Sequence, residues 1–193
     1  MDTTTPPAGV LPYPRDLTGD GISLRPYRQA DADALAAAVR ESVDTVGYWQ
    51  DWCHADYGLE TARAWIEHCL EGWFVGDHYA FLIVDATTDE FLGGMGINQI
   101  NREHRFANLG YWVRQSRQGQ RIATRAGRLA TRFAFDSVKV TRLEIVAAAA
   151  NVPSRRTAES IGACFEGIER HRLVLRGVAM DAAMYSLIPS DLG

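Results

Sequence analysis

Residues 109–124 read LGYWVRQSRQGQRIAT, and the fold turns on them. An apolar strand ends in Trp112-Val113, a polar arginine-rich turn follows, and a helix opens at Ile122. That order aims the free N–H groups of a helix N-terminus, and a set of guanidinium groups, at whatever lies beyond the strand. An anion, above all a pyrophosphate, is the natural occupant. Six arginines and no acid lie between Arg114 and Arg132. Arg117, Arg121, Arg125, Arg128 and Arg132 recur at helical spacing and so share a face, for which a plain solvated surface is the alternative reading. Arginines close to a helix N-terminus oppose its dipole, which favours a compensating bound anion.

Working outward, residues 22–27 alternate as a first strand. Asp31 then caps a helix with Leu35, Val39, Val43 and Val46 on one face. After an aromatic loop holding Tyr48, Trp49 and Trp52, a second helix places Ala62, Trp65, Ile66, Cys69 and Leu70 at helical spacing, with Gly72 as its stop. Runs at 79–85, 91–99 and 106–113 are strand-like and joined by short polar links, so they form an antiparallel meander. A helix over 122–138 buries Ile122, Ala126, Leu129, Ala130 and Phe133. A strand at 143–148, a short helix opened by Pro153 and stopped by Gly162, and strands at 163–175 and 178–188 complete the order β-α-α-β-β-β-α-β-α-β-β.

At 193 residues and 47% hydrophobic, the chain is expected to form one domain over 21–189, preceded by a flexible leader over 1–20. The leader lacks the basic and apolar regions of a secretory signal, and no run approaches the roughly 20 apolar residues of a membrane span. Three cysteines without paired spacing fit a reducing cytoplasm. The five histidines show no metal-ligand spacing, and Cys53, Cys69 and Cys164 lack the setting of a nucleophile, so no metal is expected. Residues 31–90 carry thirteen acids against only Arg40 and Arg63. With a chain total of −4, the remainder is therefore net positive. Such asymmetry suits an enzyme joining a cationic amine to a phosphate-rich cofactor, and equally suits two unrelated solvated faces.

A second signature follows the first: Asn151-Val-Pro-Ser154, then Ile161-Gly162-Ala-Cys-Phe-Glu166-Gly167. Together the two resemble the GNAT superfamily of acyl-CoA-dependent N-acyltransferases, with RimJ/RimL-type protein N-terminal acetyltransferases as the nearest branch. The resemblance spans nearly everything from Ile22 to Ile188. It implies an α+β fold whose mostly antiparallel seven-stranded sheet is flanked by about four helices. It also implies acetyl-CoA in a gap between the fourth and fifth strands of that sheet. Trp112 and Val113 would then face the pantetheine arm, and Gln118, Gly119, Gln120, Arg121, Ile122, Ala123 and Thr124 would wrap the pyrophosphate. The family's usual central glycine is Arg121 here. Glycine serves where backbone nears phosphate or takes positive φ; arginine fits with negative φ and an outward side chain that pairs with a phosphate, and the alternative reading is that it blocks the turn.

Acetyl transfer needs a neutral amine, juxtaposed reactants, donors for the oxyanion and a proton for the departing thiolate. By resemblance, the N–H near Val113 serves the oxyanion and Ser154 the sulfur, since the family's more usual tyrosine acid is Ala158 here. Asn151 would bind the pantetheine region or fix the turn, and it also reads as a plain helix cap. Carboxylates used as base in related sequences map to Asn108 and near Leu173, leaving Glu41, Asp51 or water. Trp49, Asp51 and Trp52 would build the acceptor site. Three functions stay open: acetylation of a protein N-terminus, as of a ribosomal protein; acetylation of a small amine; and acyl-CoA binding without turnover. No membrane partner is implied, nor nucleic acid beyond the ribosome itself, and an exposed edge of the meander offers a route to a homodimer.

Overall fold

The computed structural model describes Leu11 and residues 16–192. In chain order the elements are β1 (Leu17–Gly19), β2 (Ile22–Pro26), α1 (Ala32–Glu41), α2 (Leu59–Val75), β3 (Tyr79–Asp85), β4 (Phe91–Asn101) and β5 (Phe106–Val113). There follow α3 (Ile122–Phe133), β6 (Arg142–Ala148), α4 (Val152–Ile161), β7 (Cys164–Leu175) and β8 (Val178–Leu187). The strands form one sheet in the order β1-β2-β3-β4-β5-β6-β8-β7. Every neighbouring pair is antiparallel except β5 with β6.

Alternation along β3 shows how the sequence builds a core on each face. Tyr79, Phe81 and Ile83 enter one cluster with Ile22, Leu24, Ile97, Leu109 and the α3 residues Ile122, Ala126 and Phe133. Ala80, Leu82 and Val84 enter the other, with Leu35 and Val39 of α1 and Ile66 and Cys69 of α2. A two-residue side-chain period on a strand covered on both sides gives this division.

The expected seven strands become eight. Leu17–Gly19 pairs with β2 through Asp20-Gly21, whose φ values of 51° and 77° make a tight hairpin turn. Strand β1 thus falls within the stretch read as leader, most of which lies outside the described residues. Asp31 does not cap α1 with its side chain. Its carboxylate turns back to the buried Arg25 guanidinium at 2.8 Å on both oxygens and accepts the Arg28 N–H at 2.7 Å. Val43 and Val46 lie beyond the end of α1, although Val46 still packs in the core.

Gly72 does not stop α2. The helix runs on to Gly76, whose φ of 79° closes it while its N–H reaches the Gly72 carbonyl at 2.7 Å. Gly72 is small for a packing reason, since a Cβ there would sit 2.0 Å from the His78 ring. The long helix ends at Phe133 and passes into a wider π-turn over Ala134–Val138.

Candidate active site

Strands β5 and β6 pair at only three registers, from Phe106 with Arg142 to Asn108 with Glu144, and then part. The gap opens at the C-terminal ends of both strands, where β5 residues 110–113 are half-exposed in the middle of a sheet. One side of the gap leads into the turn before α3, and the other into the start of α4.

At α4, Asn151 is the N-cap and its Oδ1 accepts the Ser154 N–H at 3.2 Å. Pro153 sits in the first turn, where a missing N–H costs nothing. The Tyr111 hydroxyl crosses the gap from β5, donating to the Ser154 carbonyl at 2.9 Å and lying 3.3 Å from Ser154 Oγ. Burial pushes the Tyr111 hydroxyl up to about 12, so it stays protonated at any working pH.

The turn after β5 is held by the end of α1. Ser42 Oγ accepts the Gln115 N–H at 3.0 Å while donating to the Ala38 carbonyl. Glu41 accepts the Ser116 N–H and hydroxyl at 2.9 and 2.7 Å and forms a two-pronged ion pair with Arg114. The Arg114 guanidinium, with the Ser116 donors, holds the Glu41 carboxyl at about 2. A carboxylate so weakly basic, with both oxygens engaged, is a poor proton acceptor. Thr45 adds a contact with the Gln118 amide at 3.0 Å, and that amide also reaches the Val113 carbonyl at 3.0 Å.

Past Gln118 the chain takes positive φ at Gly119 (77°) and again at Arg121 (56°), directly before α3. The condition set for arginine to fit, negative φ, is not met at Arg121: it adopts the left-handed conformation for which glycine is usually chosen, at a cost of about 1 kcal/mol. Its side chain is exposed and does not fill the turn. The first N–H groups of α3, at Ile122, Ala123 and Thr124, have no acceptor within the helix. Nothing lies within 4 Å of a Cβ built on Gly119. Open space at the turn and unfilled donors beside it fit a diphosphate.

The arginine row divides. Arg117 is paired with Glu90 at 2.9 and 2.6 Å, and Arg125 donates to the Asp20 and Gln120 carbonyls. Arg128 donates to the Ser160 carbonyl at 2.9 Å. Among the described residues, only Arg121 and Arg132 of the five have side chains without such a partner. Glu90 lies just before β4, and sequence spacing alone gives no sign of its pairing with Arg117.

Trp112 lies across the sheet with its ring against Trp52 (5.4 Å between centroids) and Phe91 (5.8 Å). The β4 glycines permit this, since a Cβ on Gly94 would stand 2.6 Å from the Trp112 indole nitrogen, and one on Gly93 would stand 2.2 Å from the Trp112 carbonyl. Trp49 is half-buried against Tyr48, and Asp51 accepts the Arg176 N–H at 3.0 Å. Burial raises the Cys53 and Cys69 thiols, the latter to about 12, which keeps both inert. Among the described residues, no group of three or more His, Cys, Asp or Glu could hold a metal.

Known proteins agree with this layout. YdaF of Bacillus subtilis, provisionally named a ribosomal N-acetyltransferase, is 28% identical over 175 residues, covering 88% of this chain and 92% of its own. Mycobacterium smegmatis RimJ, solved with a CoA-disulfide, superposes with a TM-score of 0.81 at 25% identity over 89% of this chain and 83% of that one. The microcin C7 immunity acetyltransferase MccE, solved with acetyl-CoA and AMP, shares the fold at a TM-score of 0.83 and 23% identity, covering 93% and 98%. Because the family profile for the acetyltransferase (GNAT) domain matches residues 22–163, the chain belongs to the GNAT acetyltransferases, enzymes that move an acetyl group from acetyl-CoA to an amine.

Proposed function

We propose that the acceptor is the α-amino group of a protein N-terminus, acetylated by direct attack while both substrates are bound. The observation that carries this reading is the surface beside the α1–α2 loop. There a groove lined by Asp44, Gly47, Tyr48, Asp51, His54 and Arg176 lies beside the exposed Tyr48, and its two carboxylates suit a positively charged chain end. A relative and a solved neighbour, provisionally named a ribosomal N-acetyltransferase and a ribosomal-protein-serine acetyltransferase, support a protein acceptor. A small amine would use the same acidic lining, so the two readings are separated by which acceptor is acetylated.

Acetyl-CoA supplies an activated thioester, and the residues around the gap fit it. In this reading the α3 N-terminus, Gly119 and Arg121 hold the diphosphate, and the β6-facing edge of Trp112 and Val113 receives the pantetheine arm. The N–H near Val113 stabilises charge on the carbonyl oxygen. Ser154 Oγ–H donates to the departing sulfur, and Tyr111 fixes the Ser154 rotamer and the width of the gap. Asn151 sets the first turn of α4. Glu41 orients the anion turn rather than taking a proton, and the amine arrives neutral, its proton leaving through water. Three free cysteines fit a cytoplasmic setting.

The test is incubation with acetyl-CoA and a peptide library carrying free N-termini, read by mass spectrometry. Acetylation confined to α-amino groups supports the reading. Acetylation of spermidine or aminoglycosides with none of the peptides overturns it, and CoA binding without any turnover marks a regulatory module instead.

A further inference from the structure

We infer that the cavity between the α1–α2 loop and the tip of the β7–β8 hairpin is a guanidinium-recognition subsite for the acceptor, partly occupied by the chain's own Arg176. This deepens the acceptor reading above and rests on it. The cavity measures about 470 Å³, and its polar lining comes from Asp44, Tyr48, Asp51, His54 and the Gly47 backbone.

Three observations carry the inference. The first is that a guanidinium already sits there. Arg176 Nη2 donates to the Gly47 carbonyl, its Nε lies 3.7 Å from Asp51 Oδ1, and its backbone N–H donates to Asp51 Oδ2 at 3.0 Å. The second is that the loop is built to present that carbonyl. A Cβ on Gly47 would lie 2.4 Å from the carbonyl oxygens of both Cys53 and Val43, so only glycine lets the loop close this tightly. The third is the hairpin tip. Arg176 and Gly177 both take positive φ, 49° and 75°, in a two-residue turn whose first place favours Asn, Asp or Gly. An arginine held in that strained place contributes its side chain, and the side chain goes to the loop.

The position gives the contact its meaning. The loop belongs to the β5 side of the gap, through Trp52 on Trp112 and Thr45 on Gln118. The hairpin belongs to the β6 side, because β8 pairs with β6 as far as Ala148 with Ala182. Arg176 therefore straps the two sides together. Its side chain is 58% exposed and that of Asp51 54%, so the pair is screened by water and readily exchanged. An acceptor bearing a guanidinium as well as the reacting amine displaces Arg176 from Gly47 and Asp51, gains the exposed Tyr48 ring as a neighbour, and opens the strap as it binds.

The test is calorimetry on the CoA-loaded protein. The probes are the peptide amide Ala-Arg-Ala-Phe, its citrulline counterpart, and agmatine as the small-molecule source of the same group. The Arg peptide is expected to bind about tenfold tighter than the citrulline peptide, and Asp51→Asn to erase that preference. Arg176→Ala is expected to tighten the Arg peptide about threefold or more and leave the citrulline peptide unchanged. Tight binding of agmatine alone assigns the guanidinium to a free amine, and binding of the peptide alone assigns it to a protein. Equal binding of the two peptides when either binds, weaker Arg-peptide binding by Arg176→Ala, or no binding of any probe overturns the subsite. Because binding needs no turnover, an Arg preference without peptide acetylation counts against the proposed acceptor chemistry and not against the subsite.

Discussion

Tyr111 of β5 donates its hydroxyl to the Ser154 carbonyl at 2.9 Å, 43 residues along the chain, and is the side-chain link across the opened gap between β5 and α4. Ser154→Ala is expected to lower kcat about 10²-fold with little change in the KM for acetyl-CoA, because in the proposed chemistry its O–H serves the departing sulfur. Tyr111→Phe keeps the acid and loses the link, so its effect on kcat is expected to be smaller, with a stability loss of about 1 kcal/mol. Initial rates of thiol release and thermal melts check both. Equal kcat for Ser154→Ala and wild type would remove Ser154 from the chemistry.

Glu41 separates a base from a scaffold. With no side-chain base, kcat/KM rises with pH through the acceptor amine's own pKa, about 8 for an α-amine, and then levels. Glu41→Gln is expected to leave that profile in place and to weaken acetyl-CoA binding about tenfold by loosening Ser116 and Arg114. A fall in kcat of about 10²-fold or more in Glu41→Gln at saturating acetyl-CoA would make Glu41 the base after all.

Acid stability follows from the same carboxylate. Its folded pKa, about 2, lies below the ordinary 4.5, so the ion pair contributes fully above pH 4.5 and is lost as pH falls towards 2. Glu166, held at about 2 by Arg142 and Ser186, adds to the same window. Wild type is expected to lose stability over that interval more steeply than Glu41→Gln, as measured by urea melts at a series of pH values. Parallel curves would mean that the pair contributes nothing.

Gly72→Ala tests the packing of α2. The added methyl meets the His78 ring, and the ring is wedged against His68 at 4.5 Å between centroids. A loss of about 1–3 kcal/mol is expected, against the slight gain an ordinary helical Gly→Ala would give. A melting temperature at or above that of wild type would show that the ring moves freely.

Much of the fold was legible because periodicity reports burial directly. The strand-like run at 79–85, the stripe on α3 and the cap–proline–glycine frame of α4 each gave an element close to its observed ends. What escaped notice depends on partners distant in sequence. Gly72 looked like a helix stop because nothing local shows the His78 ring above it. Asp31 looked like a cap because Arg25 is buried only once β2 and β3 pair. In the site, the strand–turn–helix and Asn151-to-Ser154 signatures located the gap. The partners of Glu41, Arg117 and Asp51 come from 73, 27 and 125 residues away, and those partners decide what each side chain is free to do.

Arg121 carries the most direct test of the account, calorimetric titration of acetyl-CoA into wild type, Arg121→Gly and Arg121→Glu. The left-handed turn before α3, with the Arg121 guanidinium unpaired among the described residues, should give single-site binding, weakened modestly in Arg121→Gly and about tenfold or more in Arg121→Glu. Arg121→Gly should melt no lower than wild type, since glycine relieves the positive φ. Identical affinities in all three proteins, or no binding by wild type, would contradict an acetyl-CoA diphosphate held at this turn.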